Sequence, residues 1–216
     1  MSPDVAAPFA KLSVDFVGSF PEPTHPLDPV LPEVAFLGRS NVGKSSLLNA
    51  LVGRRIAKIS ATPGKTQLLN AFRLPDFYMI DLPGYGFALA SHGDRLKFRQ
   101  LLQGVVEQRE RIEGIIWLLD IRHPPSAEDM GMRDILSAGR TPTIVVLTKA
   151  DKLSRVQQVK AARERAAELE YPPDDLLVTS SEKKAGIPEL GERIRVLVAG
   201  FGAQGSGLGE ATTHNG

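Results

Sequence analysis

The strongest constraint on this chain is a glycine-rich segment of eight residues between a short apolar run and an amphipathic pattern. It follows the pattern G-x-x-x-x-G-K-[ST], in which the glycines let the backbone curl so that successive N–H groups face a polyphosphate. Residues 34–37 predict a strand before it and residues 45–52 a helix behind it, which aims the helix N-terminus at the anion. We expect Lys44 to reach the β- and γ-phosphates and the Ser45 hydroxyl to ligate Mg²⁺. The eight residues are Gly38, Arg39, Ser40, Asn41, Val42, Gly43, Lys44 and Ser45.

Short apolar runs alternate with helical patterns along most of the chain, which is typical of βαβ units and a largely parallel sheet. Only Pro75 and Asp76 separate the third and fourth predicted strands, so these two strands should form an antiparallel hairpin. The predicted fold class is therefore α/β with a mixed, mostly parallel sheet. We predict strands at residues 12–17, 34–37, 68–74, 77–80, 115–119, 143–147 and 176–178, and helices at 45–52, 94–109, 127–138, 155–169 and 188–198.

The chain divides into three predicted parts. Residues 1–30 are expected to form an N-terminal extension with one strand and a proline-rich connector, since five prolines exclude helix from residues 21–32. Residues 31–200 form the predicted nucleotide-binding domain. Residues 201–216 are rich in Gly, Ser and Thr and are expected to be a flexible tail that buries almost nothing.

Composition excludes several classes of function. Lys and Arg number 26 against 25 for Asp and Glu, so a net charge of +1 gives no global attraction to nucleic acid or membranes, and we expect no DNA partner. The lack of cysteine excludes disulfides and thiolate metal sites, and four scattered histidines form no metal-ligand cluster. Because the chain shows neither a signal-peptide pattern nor an apolar run of roughly 20 residues, we expect a cytoplasmic monomer.

A second motif, D-x-x-G, follows the strand predicted at residues 77–80. Its carboxylate stands at the carboxyl end of a strand beside the phosphate loop, where we expect Asp81 to hold Mg²⁺ through water. Gly84 can bring its N–H to the γ-phosphate because no side chain stands in the way. A lone D-x-x-G is commonly just a turn, but its order and its strand favour the functional interpretation. The motif residues are Asp81, Leu82, Pro83 and Gly84.

A third motif follows the strand predicted at residues 143–147 and is a variant of the guanine motif N-K-x-D. The carboxylate of Asp151 can accept hydrogen bonds from guanine N1–H and the N2 amino group; adenine lacks that donor edge, so the motif predicts GTP over ATP. Lys149 should lie along the base plane, and Thr148 stands where Asn is usual. A serine-rich turn after the last strand should present a backbone N–H to guanine O6, with helix capping as the alternative. These residues are Thr148, Lys149, Ala150, Asp151, Thr179, Ser180 and Ser181.

With these motifs, residues 62–67 and the pair Tyr85-Gly86 in this order, the chain resembles the EngB (YihA) family over roughly residues 16–198. This family belongs to the TrmE-Era-EngA-EngB-septin-like class of P-loop GTPases. The resemblance implies a Ras-like, three-layer α/β/α fold, with GTP, GDP and Mg²⁺ as ligands. It also implies work on assembly of the large ribosomal subunit, with effects on cell division and septation.

The resemblance also identifies the first switch loop. Residue types alone leave Thr62 and Thr66 as alternatives for the second hydroxyl ligand of Mg²⁺, and the analogy selects Thr66. Such a loop orders around Mg²⁺ and the γ-phosphate and relaxes after hydrolysis. The segment implied for nucleotide binding comprises Gly64, Lys65, Thr66, Gln67 and Leu68.

The expected rate of hydrolysis is low. Ras-like enzymes position the attacking water with a Gln shortly after the D-x-x-G glycine, whereas this chain has Tyr85 there. Asn41 stands where related GTPases use Asn to help bind K⁺, which can supply positive charge to the reaction; the alternative is that Asn41 only stiffens the loop. We assign catalytic roles to Lys44, Thr66, Gly84 and Asn41, with acceleration by a partner or K⁺.

Other functions remain open at this stage. A P-loop ATPase or kinase predicts that ATP competes with GTP and that Asp151→Asn has no effect. A nucleotide-gated binding module predicts incidental hydrolysis that large ribosomal subunits do not stimulate. Two groups of cations suggest a local surface for ribosomal RNA, with isolated surface charges as the commoner explanation. These cations are Arg54, Arg55 and Lys58 in one group and Lys183 and Lys184 in the other.

Overall fold

The computed structural model describes residues 7–57, 68–86 and 92–204, whose strands form a seven-stranded sheet in the order β1-β3-β4-β2-β5-β6-β7. Strands β1 and β3 pair antiparallel, as do β3 and β4, and all other neighbours are parallel. The predicted hairpin and the mixed, mostly parallel sheet are therefore confirmed. The strands are β1 (Asp15–Phe20), β2 (Glu33–Gly38), β3 (Leu69–Arg73), β4 (Tyr78–Asp81), β5 (Ile112–Asp120), β6 (Thr143–Thr148) and β7 (Leu176–Val178).

The helices alternate with the parallel strands. Two of them begin with capping boxes, Ser126 with Asp129 and Ser154 with Gln157, in which each side chain accepts from the other residue's backbone N–H. These reciprocal bonds define where the helices start. The helices are α1 (Lys44–Val52), α2 (His92–Gln103), α3 (Ala127–Ala138), α4 (Arg155–Leu169) and α5 (Ile187–Gln204), with a π-helical turn at Gly104–Gln108 and short 3₁₀ turns at Ala150–Lys152 and Pro173–Asp175.

The sheet carries a hydrophobic cluster on each face. Helices α2, α3 and α4 cover one face, and α1 and α5 cover the other. Strand β5 shows the division, because Ile115 and Trp117 belong to the first cluster while Ile116 and Leu118 belong to the second. A strand buried on both faces reads as a continuous apolar run. The predicted three-layer α/β/α arrangement is confirmed.

Several predicted element boundaries were wrong. Strand β1 begins at Asp15 rather than at residue 12, because Leu12 and Val14 pack on the cluster under α1 and α5 without joining the ladder. The helix predicted at 94–109 is α2 followed by the π-helical turn. Helix α5 runs on to Gln204, so the predicted tail at 201–216 starts inside it. The division into three parts stays a prediction.

The proline-rich connector contains no helix and is held to the body of the protein by a buried arginine. Arg109 pairs with Glu33, both being buried, and donates to the carbonyl oxygens of Pro23 at 2.6 Å and His25 at 3.0 Å. Tyr78 donates to the carbonyl oxygen of Pro29 at 2.9 Å. The connector is therefore anchored to β2, β4 and the segment after α2.

The parallel arrangement brings the three sequence motifs to one place. Strands β2, β4, β5 and β6 run in the same direction, so the loops that follow them meet at one edge of the sheet, called here the carboxyl edge. In open α/β sheets, ligands bind outside this edge.

Candidate nucleotide-binding site

The phosphate loop joins β2 to α1 at the carboxyl edge. Gly43 has a φ of 108°, a left-handed conformation that glycine adopts without strain, and Asn41 has a φ of 64°, which Asn tolerates better than most residues. The two turns curl the chain immediately before the first turn of α1, whose backbone N–H groups lack partners within the helix. The loop has the shape and the dipole needed to hold an anion.

Lys44 and Asp81 meet where α1 begins and β4 ends. The Lys44 ammonium donates to Asp81 Oδ1, and Asn70 Nδ2 lies 3.5 Å from Asp81 Oδ2. Ser45, the neighbour of Lys44, is half-buried. The structure thus brings together the predicted phosphate-binding lysine and two of the three predicted Mg²⁺ ligands.

The donor set at this point fits Mg²⁺. Its carboxylate and hydroxyl oxygens are the hard ligands that Mg²⁺ prefers, and Mg²⁺ usually takes only one or two carboxylates, with water and substrate phosphates completing the shell. Across the described parts of the chain, His, Cys, Asp and Glu form no group of three or more that could hold a metal. A divalent ion at Asp81 would therefore depend on a bound nucleotide for further ligands.

Gly84 lies directly against the phosphate loop. A Cβ placed on Gly84 would stand 3.0 Å from the Ser40 nitrogen and 3.1 Å from its Cα, so a side chain would push the two segments apart. The following residue continues the contact, since Ser40 N–H donates to the Tyr85 carbonyl at 2.8 Å and Tyr85 N–H donates to Gly38 O at 3.3 Å. The D-x-x-G segment is therefore held beside the loop, with Leu82 buried and Pro83 half-buried.

Tyr85 points into the protein and not toward the site. Its ring is 1% exposed, its hydroxyl donates to Asp129 Oδ1 at 2.7 Å, and Trp117 Nε1 donates to that hydroxyl at 2.9 Å. Burial, and then the nearby Asp129 carboxylate, raise the pKa of Tyr85 well above its usual value, so the phenol stays protonated. Residue type alone predicted that Tyr85 is a poor substitute for Gln, and the structure adds that its side chain does not reach the solvent.

The base motif is tied to the phosphate loop through its first two residues. Thr148 is buried, and its hydroxyl lies 2.7 Å from Val42 O and 3.0 Å from Leu119 O, so it can donate to either carbonyl. Lys149 donates to Asn41 O at 2.6 Å. The threonine in place of Asn therefore still connects the two loops.

Sequence reasoning missed Asp120, which holds Lys149 in place. Asp120 Oδ2 lies 3.0 Å from Lys149 Nζ and 2.7 Å from Arg122 Nη2. Burial by itself raises the pKa of Asp120, but hydrogen bonds from Arg122 and Lys149 outweigh it and lower the pKa to about 2. The signal was a carboxylate directly after the apolar run of β5, at the same edge as the three motifs.

Asp151 has one oxygen bound by Ser180 and the other paired with a cation. Ser180 Oγ donates to Oδ1 at 2.6 Å, and this bond is the main cause that lowers the pKa of Asp151. Oδ2 is buried, and its partner among the described residues is the Lys152 ammonium, 2.9 Å away. A carboxylate oxygen can accept more than one hydrogen bond, so Oδ2 is still suited to a donor from a ligand.

The turn after β7 supports Asp151. Thr179 N–H donates to Leu147 O at 2.7 Å, Ser180 N–H donates to Ala185 O at 3.0 Å, and Ala150 N–H donates to Thr179 O at 3.1 Å. Because the first two N–H groups of the turn are used inside the protein, Ser181 is the remaining candidate for guanine O6. Ser180 also makes the bond that the capping alternative predicts, since its hydroxyl oxygen accepts from Lys183 N–H at 3.1 Å while it donates to Asp151.

Part of the predicted site lies outside the described residues. Leu68 is described and half-buried just before β3. The first-switch residues Gly64, Lys65, Thr66 and Gln67 are not among the described residues, and the same holds for Thr62 and Lys58. None of the described helices is both long enough and apolar enough to cross a membrane.

The known proteins that this chain is similar to are described as GTPases or GTP-binding proteins. A family model described as 50S ribosome-binding GTPase matches residues 33–149. A probable GTP-binding protein EngB of Syntrophomonas wolfei subsp. wolfei is 43% identical over 162 residues, covering 74% of this chain and 83% of that protein. One of Citrifermentans bemidjiense is 37% identical over 192 residues, covering 88% of this chain and 90% of that protein.

The fold has a solved counterpart. The crystal structure of a probable GTP-binding protein EngB superposes with a TM-score of 0.66 at 24% identity, covering 78% of this chain and 99% of that one. This likeness confirms the expected P-loop GTPase fold.

Proposed function

Since this chain belongs to the EngB family of GTP-binding proteins, we propose that it is a Mg²⁺-dependent GTPase that hydrolyses GTP slowly. We further propose that it acts as a switch in assembly of the large ribosomal subunit. The observation that carries the choice of nucleotide is the buried Oδ2 of Asp151, whose partner among the described residues is the Lys152 ammonium and which can accept a further donor. Guanine offers N1–H and the N2 amino group to a carboxylate, and adenine offers no such pair.

The phosphate side of the site supports the same proposal. Lys44 would bind the β- and γ-phosphates, while Ser45, Thr66 and Asp81 would hold Mg²⁺. When bound, Mg²⁺ neutralises the negative charge that develops on the phosphate oxygens during transfer. Gly84, held against the phosphate loop, would donate its N–H to the γ-phosphate. Asp81 already neutralises the Lys44 ammonium, so these two groups are kept at the site until the ligand supplies new partners.

Slow hydrolysis follows from the buried side chain of Tyr85. No group at this position can orient an attacking water, because the phenol is engaged with Asp129 and Trp117. Acceleration by K⁺ at Asn41 is part of the proposal, although the left-handed backbone at Asn41 gives a second reason for that residue type. Single-turnover hydrolysis should be faster in K⁺ than in Na⁺, and equal rates would remove K⁺ from the mechanism.

Action on the large ribosomal subunit rests on the family described as 50S ribosome-binding GTPase. The proposed role implies a cytoplasmic location, and septation defects are expected on depletion. Of the predicted surface cations, Arg54 is already engaged, since it donates to Ala10 O at 3.1 Å and Leu12 O at 2.7 Å. Arg55, Lys183 and Lys184 are exposed and remain candidates for RNA contact.

Three measurements test the proposed function. Equilibrium binding of GTP, GDP and ATP should show guanine nucleotides binding and ATP failing to compete, whereas effective ATP competition would favour a P-loop ATPase. Co-sedimentation with large subunits should depend on whether a GTP analogue or GDP is bound. Single-turnover hydrolysis should rise when subunits are added; no rise would favour a binding module with incidental hydrolysis.

A further inference from the structure

A buried polar cluster lies behind the D-x-x-G segment, and the proposed chemistry does not use it. Its members are Tyr85, Trp117 and Asp129, from the segment after β4, from β5 and from the first turn of α3. The Tyr85 hydroxyl both donates to Asp129 Oδ1 and accepts from Trp117 Nε1. Three segments that are distant in sequence are thus joined at one phenol oxygen.

The carboxylate in this cluster is itself fixed. Asp129 is 3% exposed, and its second oxygen, Oδ2, accepts from the backbone N–H and the hydroxyl of Ser126, each at 2.8 Å. Arg39 Nη1 of the phosphate loop lies 3.9 Å from the same oxygen. Asp129 therefore cannot turn away from Tyr85 without breaking the capping box of α3.

Tyr85 transmits this constraint to its neighbour in the chain. The Tyr85 backbone makes two hydrogen bonds to the phosphate loop, through Ser40 N–H and Gly38 O. Gly84, one residue before it, packs closely against Ser40, which would have to shift to make room for a Cβ. Asp129 and Trp117 fix the side chain of Tyr85, and the phosphate loop fixes its backbone. The preceding peptide at Gly84 therefore has little conformational freedom.

We propose that Asp129, acting through Tyr85, is a positioning residue that holds the Gly84 N–H in place for the γ-phosphate; this inference rests on the proposed function. The contact concerns only the γ-phosphate, which GDP lacks. Loss of the Tyr85 hydroxyl leaves two buried polar groups, Asp129 Oδ1 and Trp117 Nε1, without a partner, and this favours rearrangement of the segment. The proposal therefore predicts an effect on GTP that GDP does not share.

The test compares affinities for a non-hydrolysable GTP analogue and for GDP by titration calorimetry. Tyr85→Phe keeps the ring and removes the hydroxyl, and it should lower the ratio of GTP-analogue affinity to GDP affinity by about fivefold, as expected for one lost hydrogen bond. Asp129→Asn should shift the ratio in the same direction. Melting curves and the emission of Trp117, the single tryptophan of the chain, show whether each variant is folded.

Two matched controls separate positioning from general stability. Tyr78→Phe also removes a buried tyrosine hydroxyl, the one that donates to Pro29 O. Tyr78 lies at the amino end of β4, whereas the phosphate loop lies at the carboxyl edge of the sheet. Ser154→Ala weakens the cap of another helix, α4, where Ser154 Oγ accepts from Gln157 N–H at 3.4 Å, and it leaves the bonds between Ser126 and Asp129 intact. Both should lower the melting temperature and leave the affinity ratio within about twofold of the native protein.

The outcomes distinguish this inference from the proposed function. If the native protein binds GTP analogue and GDP but Tyr85→Phe weakens both equally, or neither, the positioning role is wrong and the proposed function stands. A similar drop in the ratio for Tyr78→Phe also overturns it. If the native protein binds no guanine nucleotide, the proposed function fails and the positioning role fails with it.

Discussion

Replacing Asp151 with Asn tests the choice of guanine most directly. A hydrogen bond to a charged group contributes about 1.5–3 kcal/mol, and the carboxylate of Asp151 would accept two from guanine. The Asn amide keeps one acceptor, but its NH₂ group would face a guanine donor. The net loss should be about 3 kcal/mol, or roughly a hundredfold in GTP affinity. Ser180 can still donate to the remaining oxygen at this position, so the base loop should keep its shape.

The assay measures dissociation constants for GTP and for xanthosine triphosphate by fluorescence titration. Xanthine carries a carbonyl oxygen where guanine has its amino group, so the Asp151→Asn protein should bind the xanthine nucleotide more tightly than the native protein does. Asp175→Asn is the control, because it removes an exposed carboxylate remote from the motif and should leave both constants unchanged. A GTP affinity within twofold of native for Asp151→Asn would refute the assignment.

Three further predictions concern stability and hydrolysis. Arg109→Ala leaves the buried Glu33 carboxylate unpaired and should lower the free energy of unfolding by about 3–5 kcal/mol in urea titrations. Arg133→Ala, which breaks pairs to exposed acids, should change it little. Gly84→Ala places a Cβ 3.0 Å from a phosphate-loop nitrogen and should slow single-turnover hydrolysis roughly a hundredfold with little change in GDP affinity. The pKa of Asp120 is about 2, below its ordinary value of 3.8. The stability that the Asp120 carboxylate gives the folded protein is therefore complete above pH 3.8 and is lost as the pH falls toward 2. Asp120→Asn should therefore cost about 1–2 kcal/mol at neutral pH after allowance for solvent screening, and its urea midpoint should approach the native one as the pH falls from about 3.8 toward 2.

The fold was predictable because its signals are local. Strands β2, β5 and β6 are buried on both faces and read as continuous apolar runs, and the two-residue link at Pro75 and Asp76 permits only a hairpin. Strand β1 was misplaced because Leu12 and Val14 are apolar residues that pack on a helix layer and do not pair with β3. Periodicity reports burial, and it cannot tell which partner buries a side chain.

The candidate site was predictable only where its residues are contiguous. Lys44, Asp81 and Asp151 each belong to a short motif, and the parallel strand order brings these motifs to one edge. Asp120 and Asp129 were missed because their partners come from other segments, and no pattern in one sequence shows that Asp120 lies beside Lys149. Such pairings depend on tertiary structure.

The environment of Tyr85 links the low expected rate to the firm placement of Gly84. A side chain that orients water must stay at the surface of the site, where nothing fixes its backbone beyond local turns. Tyr85 instead buries its ring and commits its hydroxyl to Asp129 and Trp117, which stabilises the segment beside the phosphate loop but leaves no group at this position to act on water. The Gly84 N–H is therefore held beside the phosphate loop before a nucleotide binds. Under the proposed function, fast hydrolysis would need an added group from a partner or a cation. In such a switch the lifetime of the GTP state is set by when that group arrives.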